Sequence, residues 1–363
     1  INSVLWEDKM KVAVLAGGNS PERDVSYSSG CMISNALAEK GHEVALIDVY
    51  LGINTPSQGL QSLFKKYPDY QKQSYKIPTT PPDLEKLAAQ RVSNTGMFFG
   101  ENILELCRLA DVVFLALHGS AGENGQLQAT FDLLNIHYTG TGFAGCVLAM
   151  DKHLAKEVMV ANDLPTAPWV YLDRYDQLNW DQIDSLGYPC VIKPPRGGSS
   201  IGVSIPQNKE EFLRGIQAAI ASAEDRQPDL LVEKYLAGRE FCIGILEGIS
   251  LPAIEIIPNE GWFDYEKKYQ SGLTREVCPA EIPEELSIRL QDTALKIHRA
   301  LKLGYYSRID FKVDRDGNIY CLEANTLPGM TPTSLFPQEA AAVGIGYADL
   351  CDKIVRNTER KEE

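Results

Sequence analysis

Residues 308 to 325 read Arg-Ile-Asp-Phe-Lys-Val, then Asp-Arg-Asp-Gly-Asn, then Ile-Tyr-Cys-Leu-Glu-Ala-Asn. Two alternating runs flank a turn whose Asp314, Asp316, Gly317 and Asn318 tolerate positive φ or hydrogen-bond their own backbone, so the stretch predicts a β-hairpin. Side chains alternate faces along a strand. Ile309, Phe311 and Val313, with Tyr320 and Leu322 across the hairpin, are expected to share an apolar face, leaving Arg308, Asp310, Glu323 and Asn325 on the other. A face carrying a cation, two carboxylates and an amide is costly to bury without a compensating ion. Magnesium suits it, being held by hard oxygen ligands together with substrate phosphates. Periodicity by itself favours a solvated outer face, so the decision falls to the rest of the chain.

Upstream, Lys193-Pro-Pro-Arg-Gly-Gly-Ser-Ser-Ile-Gly202 sets a lysine at a strand end before small residues. Such a loop lets backbone N–H groups approach phosphate oxygens; a tight hairpin loop would read the same, and the order is not that of a Walker A loop. Glu233-Lys234-Tyr235-Leu236 with Glu240 suggests a strand that changes sheets, offering backbone groups to an adenine and a carboxylate to a ribose. Glu-Lys pairs are also common on exposed strands.

The chain opens with a predicted strand at 11–16, a turn Gly17-Gly18-Asn19-Ser20-Pro21-Glu22, a helix over 25–40 and a strand at 42–49, a βαβ unit without the dinucleotide glycine pattern. An irregular excursion over 52–82, a strand at 111–117 and a helix at 126–135 complete a doubly wound domain, 1–135. A second region, 136–230, holds a helix over 150–162 and the Gly/Ser loop; a third, 231–363, continues as an antiparallel meander. Residues 258–279, with Trp262, Phe263, Tyr265 and Tyr269, read as a lid. The overall class is α/β followed by α+β.

A formal charge of −14 over 363 residues argues against phosphate-neutralising nucleic-acid binding, and the lack of a long apolar run argues against a membrane span. Eight cysteines, scattered without a Cys-x-x-Cys, predict buried thiols in a reducing cytoplasm. The five dispersed histidines offer no zinc spacing.

The order of phosphate loop, hinge and carboxylate face resembles the ATP-grasp superfamily. The runs Gly17-Gly-x-Ser-x-Glu22 with Val25-Ser26, Leu117-His118-Gly119 with Gly122-Glu-x-Gly125, Met150-Asp-Lys152 and Glu323-Ala-Asn-Thr-x-Pro-Gly329 are similar to the D-alanine–D-alanine ligase family. That resemblance implies an N-terminal α/β domain followed by two α+β subdomains that clamp ATP. It implies Asp310, Glu323 and Asn325 as ligands of two magnesium ions, with manganese as a substitute. It places Lys152, Lys193 and Lys268 on the ATP phosphates with Ser199 and Ser200, Glu233, Lys234, Tyr235, Leu236 and Phe263 around the nucleotide, and Glu240 at the ribose.

For D-alanine it implies Glu22 on the ammonium, Val25, Ser26 and His118 nearby, and a latch of Glu22, Ser199 and Tyr269. Arg308 and the Gly329 N–H would steady the oxyanion, and Ser334 and Leu335 the second carboxylate. The implied reaction joins two D-alanines through a D-alanyl phosphate; Tyr269 and Leu335 argue against D-lactate or D-serine as second substrate. A cytoplasmic homodimer is expected. A non-catalytic nucleotide binder on the same scaffold would be expected to have lost a metal carboxylate or a phosphate lysine, and this chain keeps them.

Overall fold

A computed structural model describes residues 9–65, 82–93, 96–173, 178–197, 202–222, 229–258 and 274–358. The chain divides into two compact units, 1–143 with 327–363, and 144–326.

In the first unit, strands β1 (Lys11–Ala16), β2 (Glu43–Asp48) and β3 (Val112–Leu115) form a parallel sheet in the order β2-β1-β3. Val12 to Ala16 are fully buried, as expected of a central strand covered on both faces. Helix Arg23–Glu39 connects β1 to β2. Its Gly30 permits the close seat: a Cβ there would stand 2.6 Å from the Ala16 Cβ and 2.9 Å from Leu46 Cδ1. The last helix, Tyr347–Arg356, packs on this same helix. Lys40 pairs with Asp349, and His42 Nε2 lies 2.7 Å from Asp352 Oδ1.

The second unit holds two antiparallel arrays. Strands β4 (Trp169–Leu172), β5 (Cys190–Lys193) and β6 (Leu230–Lys234) run in the order β4-β6-β5. Phe212, Ile216 and Ile183 belong to the core that this sheet shares with helices Lys209–Ser222 and Trp180–Leu186. The second array comprises β7 (Arg239–Leu246), β8 (Ile249–Ser250), β9 (Ile254–Pro258), β10 (Thr274–Val277), β11 (Tyr306–Val313) and β12 (Ile319–Asn325). Its order is β10-β9-β7-β11-β12, with β8 beside β7. Helix Glu284–Ala300 supplies Leu290, Ala294 and Ile297 to the core under β7 and β11.

Several expectations need correction. β6 pairs with β4 and β5, so the chain changes sheets after Lys234, as the Glu233 to Leu236 run suggests, but the meander expected over 231–363 begins only at β7 and the 230/231 boundary cuts a strand. Residues 327–363 group with the first unit. The apolar face of the hairpin also differs: Ile309, Phe311 and Val313 stand opposite Ala324, Cys321 and Ile319, not Leu322 and Tyr320. A β-bulge is the cause. Register slips between Asp310 and Phe311, leaving Leu322 as the extra residue and reversing the parity of β12 below it. Finally, helix Leu335–Ala342 begins inside 326–337, a Pro-containing stretch that reads as irregular from its sequence. Pro337 falls in its first turn, where a missing N–H costs nothing.

Candidate active site

The polar face predicted for the hairpin exists. Arg308 faces Asn325 and Asp310 faces Glu323 across β11 and β12. Arg308 donates to both Asp310 oxygens, Nε to Oδ1 at 2.7 Å and an Nη to Oδ2 at 2.8 Å, a two-pronged contact that fits the planar guanidinium. Asn325 Nδ2 donates to Asp310 Oδ2 at 3.1 Å. Burial opposes the Arg308 charge, but Asp310 overcomes it and holds the guanidinium well above its ordinary pKa.

Lys312, not anticipated from the sequence, continues this face. It pairs across β11 and β7 with Glu240, the candidate ribose carboxylate, at 3.0 Å. Its parity with Arg308 and Asp310 was the available signal.

Helix Lys152–Ala161 brings Lys152 to the same face: its Nζ lies 3.5 Å from Glu323 Oε2 and donates to the Gly197 carbonyl at 2.9 Å. Asp151 caps this helix through His153 N and Leu154 N, while its second oxygen accepts from Arg196 Nε at 3.0 Å. The lysine and the start of the phosphate loop are thus tied through one cap. Lys152 N also donates to Pro195 O at 2.9 Å.

Among the described residues no trio of His, Cys, Asp and Glu side chains forms a metal cluster. The predicted set is of another kind, two carboxylates and a carboxamide, all oxygen donors of the sort magnesium takes. Asp310 and Glu323 stand at one register position with Asn325 beside them, so the set fits, provided that Asn325 turns its oxygen from the present amide contact with Asp310.

Glu233 departs from expectation. The hinge residues Lys234 and Tyr235 are exposed, yet the Glu233 side chain is 5% exposed and points to two lysines. Lys193 Nζ is 2.8 Å from Oε2 and Lys156 Nζ 2.8 Å from Oε1, the latter within ion-pair reach but off the line of a hydrogen bond. Burial pushes the Glu233 pKa up; the two lysines outweigh it and bring it to about 2. Lys156 escaped the sequence analysis because buried lysines are rare.

In the first unit, Glu22 sits at the N-cap of helix Arg23–Glu39, 8% exposed, without capping that helix through its side chain. Gly119, at φ +85°, lies against it: a Cβ there would be 3.0 Å from Glu22 Oε2. Ser20 Oγ donates to the His118 carbonyl at 3.3 Å, so the turns that follow β1 and β3 meet around Glu22. Ser26 is the clamp between them: it accepts from Gly17 N at 2.9 Å and donates to Ala116 O at 2.7 Å, fully buried. That position makes it a support rather than a surface for a ligand. Val25 is also buried.

Gly329 begins a turn closed by Ser334 Oγ, which accepts from Thr331 N at 3.1 Å and lies 2.8 Å from Thr331 Oγ1. Ser334 leads into helix Leu335–Ala342, with Leu335 buried. Ser199, Ser200, Phe263, Lys268 and Tyr269 lie outside the described residues. All eight cysteines are unbridged, and seven of them are buried. No helix among the described residues is long and apolar enough to cross a membrane.

Comparisons with known proteins give the chain's family. Residues 11–141 match the family "D-ala D-ala ligase N-terminus" and residues 158–356 "D-ala D-ala ligase C-terminus". The D-alanine–D-alanine ligase of Pediococcus pentosaceus is 43% identical over 95% of this chain and 97% of its own length. That of Lacticaseibacillus casei is 38% identical over 95% of each. The crystal structure of the Bacillus anthracis D-alanine–D-alanine ligase complexed with ATP superposes with a TM-score of 0.74 at 30% identity, covering 98% of both chains. The VanG D-Ala:D-Ser ligase of Enterococcus faecalis gives 0.72 at 25% identity, over 97% of this chain and all of that one. With both family halves matched and these identities spanning nearly the whole length, the chain belongs to the D-alanine–D-alanine ligase family of ATP-grasp enzymes.

Proposed function

We propose that this chain joins two D-alanines into D-alanyl-D-alanine, with cleavage of ATP to ADP and phosphate, for peptidoglycan precursor synthesis. The observation that carries this reading is the polar face of β11 and β12, where Arg308, Asp310, Glu323 and Asn325 converge with Lys152. Family membership supplies the substrates.

A carboxylate is a poor electrophile, so the first D-alanine is activated. Its carboxylate oxygen attacks the γ-phosphorus of ATP and the bond to the ADP oxygen breaks, giving D-alanyl phosphate. The amine of the second D-alanine then attacks the carbonyl carbon, loses a proton and expels phosphate. Lys152 and Lys193, with Lys268, hold the phosphates; Lys234, Tyr235 and Leu236 present the hinge to adenine, and Glu240 takes the ribose. Glu22 pairs with the first ammonium, with His118 nearby and Ser26 fixing the turn. Arg308 and the Gly329 N–H donate to the oxyanion of the tetrahedral intermediate, each worth on the order of 10²–10³ in rate. Ser334 and Leu335 receive the second carboxylate. Ser199 and Tyr269 close the site with Glu22, which excludes water from the acylphosphate.

Asp310, Glu323 and Asn325 would hold magnesium, whose charge, when bound, offsets that of the phosphates. The nucleotide is thus enclosed by the two α+β subdomains that follow the N-terminal domain. A homodimer working in the cytoplasm completes the proposal.

Phosphate release from ATP should require D-alanine and magnesium together. Equal release with L-alanine, or none with either, would sink the assignment. D-serine matching D-alanine as second substrate would move the chain toward the D-Ala:D-Ser type of relative, and D-lactate toward a ligase that forms an ester.

A further inference from the structure

Lys156 stands one helical turn after Lys152 and is 1% exposed, yet none of the chemistry above uses it. A lysine is seldom sealed away unless something holds its charge. Its ammonium donates to Thr166 Oγ1 at 2.8 Å and to Ala167 O at 3.0 Å, lies 5.3 Å from the centre of the Trp169 ring, and faces Glu233 Oε1 at 2.8 Å. On the other oxygen of that carboxylate sits Lys193, also at 2.8 Å. The three side chains come from a helix, β5 and β6, so the cluster joins Lys193 to the helix that carries Lys152.

We infer that Lys156 is a positioning residue for nucleotide phosphate: by sharing the Glu233 carboxylate, it leaves the Lys193 ammonium with charge to offer an anion. The bookkeeping of charge is simple. Lys156, Glu233 and Lys193 together carry one net positive charge; without Lys156, Glu233 and Lys193 cancel, and an incoming phosphate meets a neutral pair. Geometry adds to this. Lys156 fixes one carboxylate oxygen, which aims the other at Lys193 and limits the positions that its long, flexible side chain can take. Burial lowers the Lys156 pKa, and Glu233 acts against that shift. The inference rests on the proposed placement of Lys193 at the ATP phosphates.

The alternative is that Lys156 only anchors the fold. The two differ in ligand selectivity: a positioning role affects phosphates alone, whereas loosened packing affects the whole nucleotide. The test is calorimetric binding of ATP with magnesium, and of uncharged adenosine, to the full chain without D-alanine. Lys156→Met should weaken ATP about tenfold or more, the size of a lost charge-assisted contact, and leave adenosine within about twofold, as additivity of separate contacts requires.

The second variant, Lys156→Met with Glu233→Gln, restores the net positive charge by removing both members of the pair, an exchange that buried ion pairs tolerate. It should bind ATP within about threefold of wild type. Glu233→Gln alone, which keeps both lysines, is the reference for any direct contact of Glu233 with the nucleotide, and the double variant should match it within about threefold. Equal losses for ATP and adenosine, or a double variant as weak as Lys156→Met, would overturn the inference. Should Lys156→Met fail to fold, a double variant about tenfold weaker for ATP than wild type would overturn it equally. Wild-type protein that binds ATP but never releases phosphate with D-alanine removes the ligase reading and leaves the inference standing; failure to bind ATP removes both.

Discussion

Neutralising the two carboxylates of the hairpin should have the same effect on catalysis and different effects on stability. Asp310 and Glu323 stand opposite each other, and Asp310→Asn or Glu323→Gln should each lower ligase turnover by at least about a hundredfold, since each removes a negative charge from the oxygen set proposed to hold magnesium. Their stability costs are set by different neighbours. The Asp310 and Arg308 side chains are 11% and 15% exposed and share two short hydrogen bonds. Breaking a buried pair by removing one charge costs about 3–5 kcal/mol. An asparagine oxygen still accepts from Arg308, and Glu323 also acts on that guanidinium, so about 2–3 kcal/mol is expected.

Glu323 is 25% exposed in its side chain, and its Lys152 contact is 3.5 Å. Its loss should cost about 0–1 kcal/mol. Urea unfolding of the magnesium-free protein, followed by circular dichroism, measures both midpoints. Asp310→Asn should unfold well before Glu323→Gln. Equal midpoints would refute the assignment of Arg308 to Asp310 as its principal partner, and an active Asp310→Asn would return this face to solvent-facing surface.

Gly30→Ala should destabilise the protein by about 1–3 kcal/mol, because its methyl would meet Ala16 and Leu46 inside ordinary contact distance; a thermal melt within error of wild type would mean the helix can lift off β1 without cost. Glu233 predicts a pH effect with a defined sign. Its folded pKa, about 2, lies below the 4.5 of the unfolded chain, so its contribution is complete above 4.5 and disappears as pH falls toward 2. Acid unfolding followed by tryptophan emission should therefore be steeper for wild type than for Glu233→Gln between those limits; matching slopes would show that the carboxylate is not held ionised by its lysines.

Much of the site could be read from alternation and order along the chain. The positions of Arg308, Asp310, Glu323 and Asn325 on one face follow from the period of two, and the sheet change after Lys234 from the Glu233 to Leu236 run. What could not be read was anything that breaks a period. Leu322 shifts the phase of β12, so Tyr320 and Cys321 exchange the faces that simple counting gives them. Ser26 looks like a ligand-facing hydroxyl on a helix until both its hydrogen bonds are seen. Pro337 reads as a breaker unless the helix is known to start two residues before it. Lys156 is hidden for a different reason: its partners, Thr166 and Trp169 from one segment and Glu233 from another, are brought together only by the fold.

The split of the first unit has a consequence for how the protein is made. Its helix Arg23–Glu39 is covered by Tyr347–Arg356, with ion pairs from Lys40 to Asp349 and from His42 to Asp352. During synthesis the early helix leaves the ribosome long before its cover exists, and the whole of 144–326 is translated in between. That later segment is continuous and can reach its native contacts on its own schedule, while the earlier one must wait, partly open, for the end of the chain. Chains truncated near residue 330 and tethered to the ribosome by a linker long enough to clear the exit tunnel should therefore protect the second segment from protease and leave the first vulnerable.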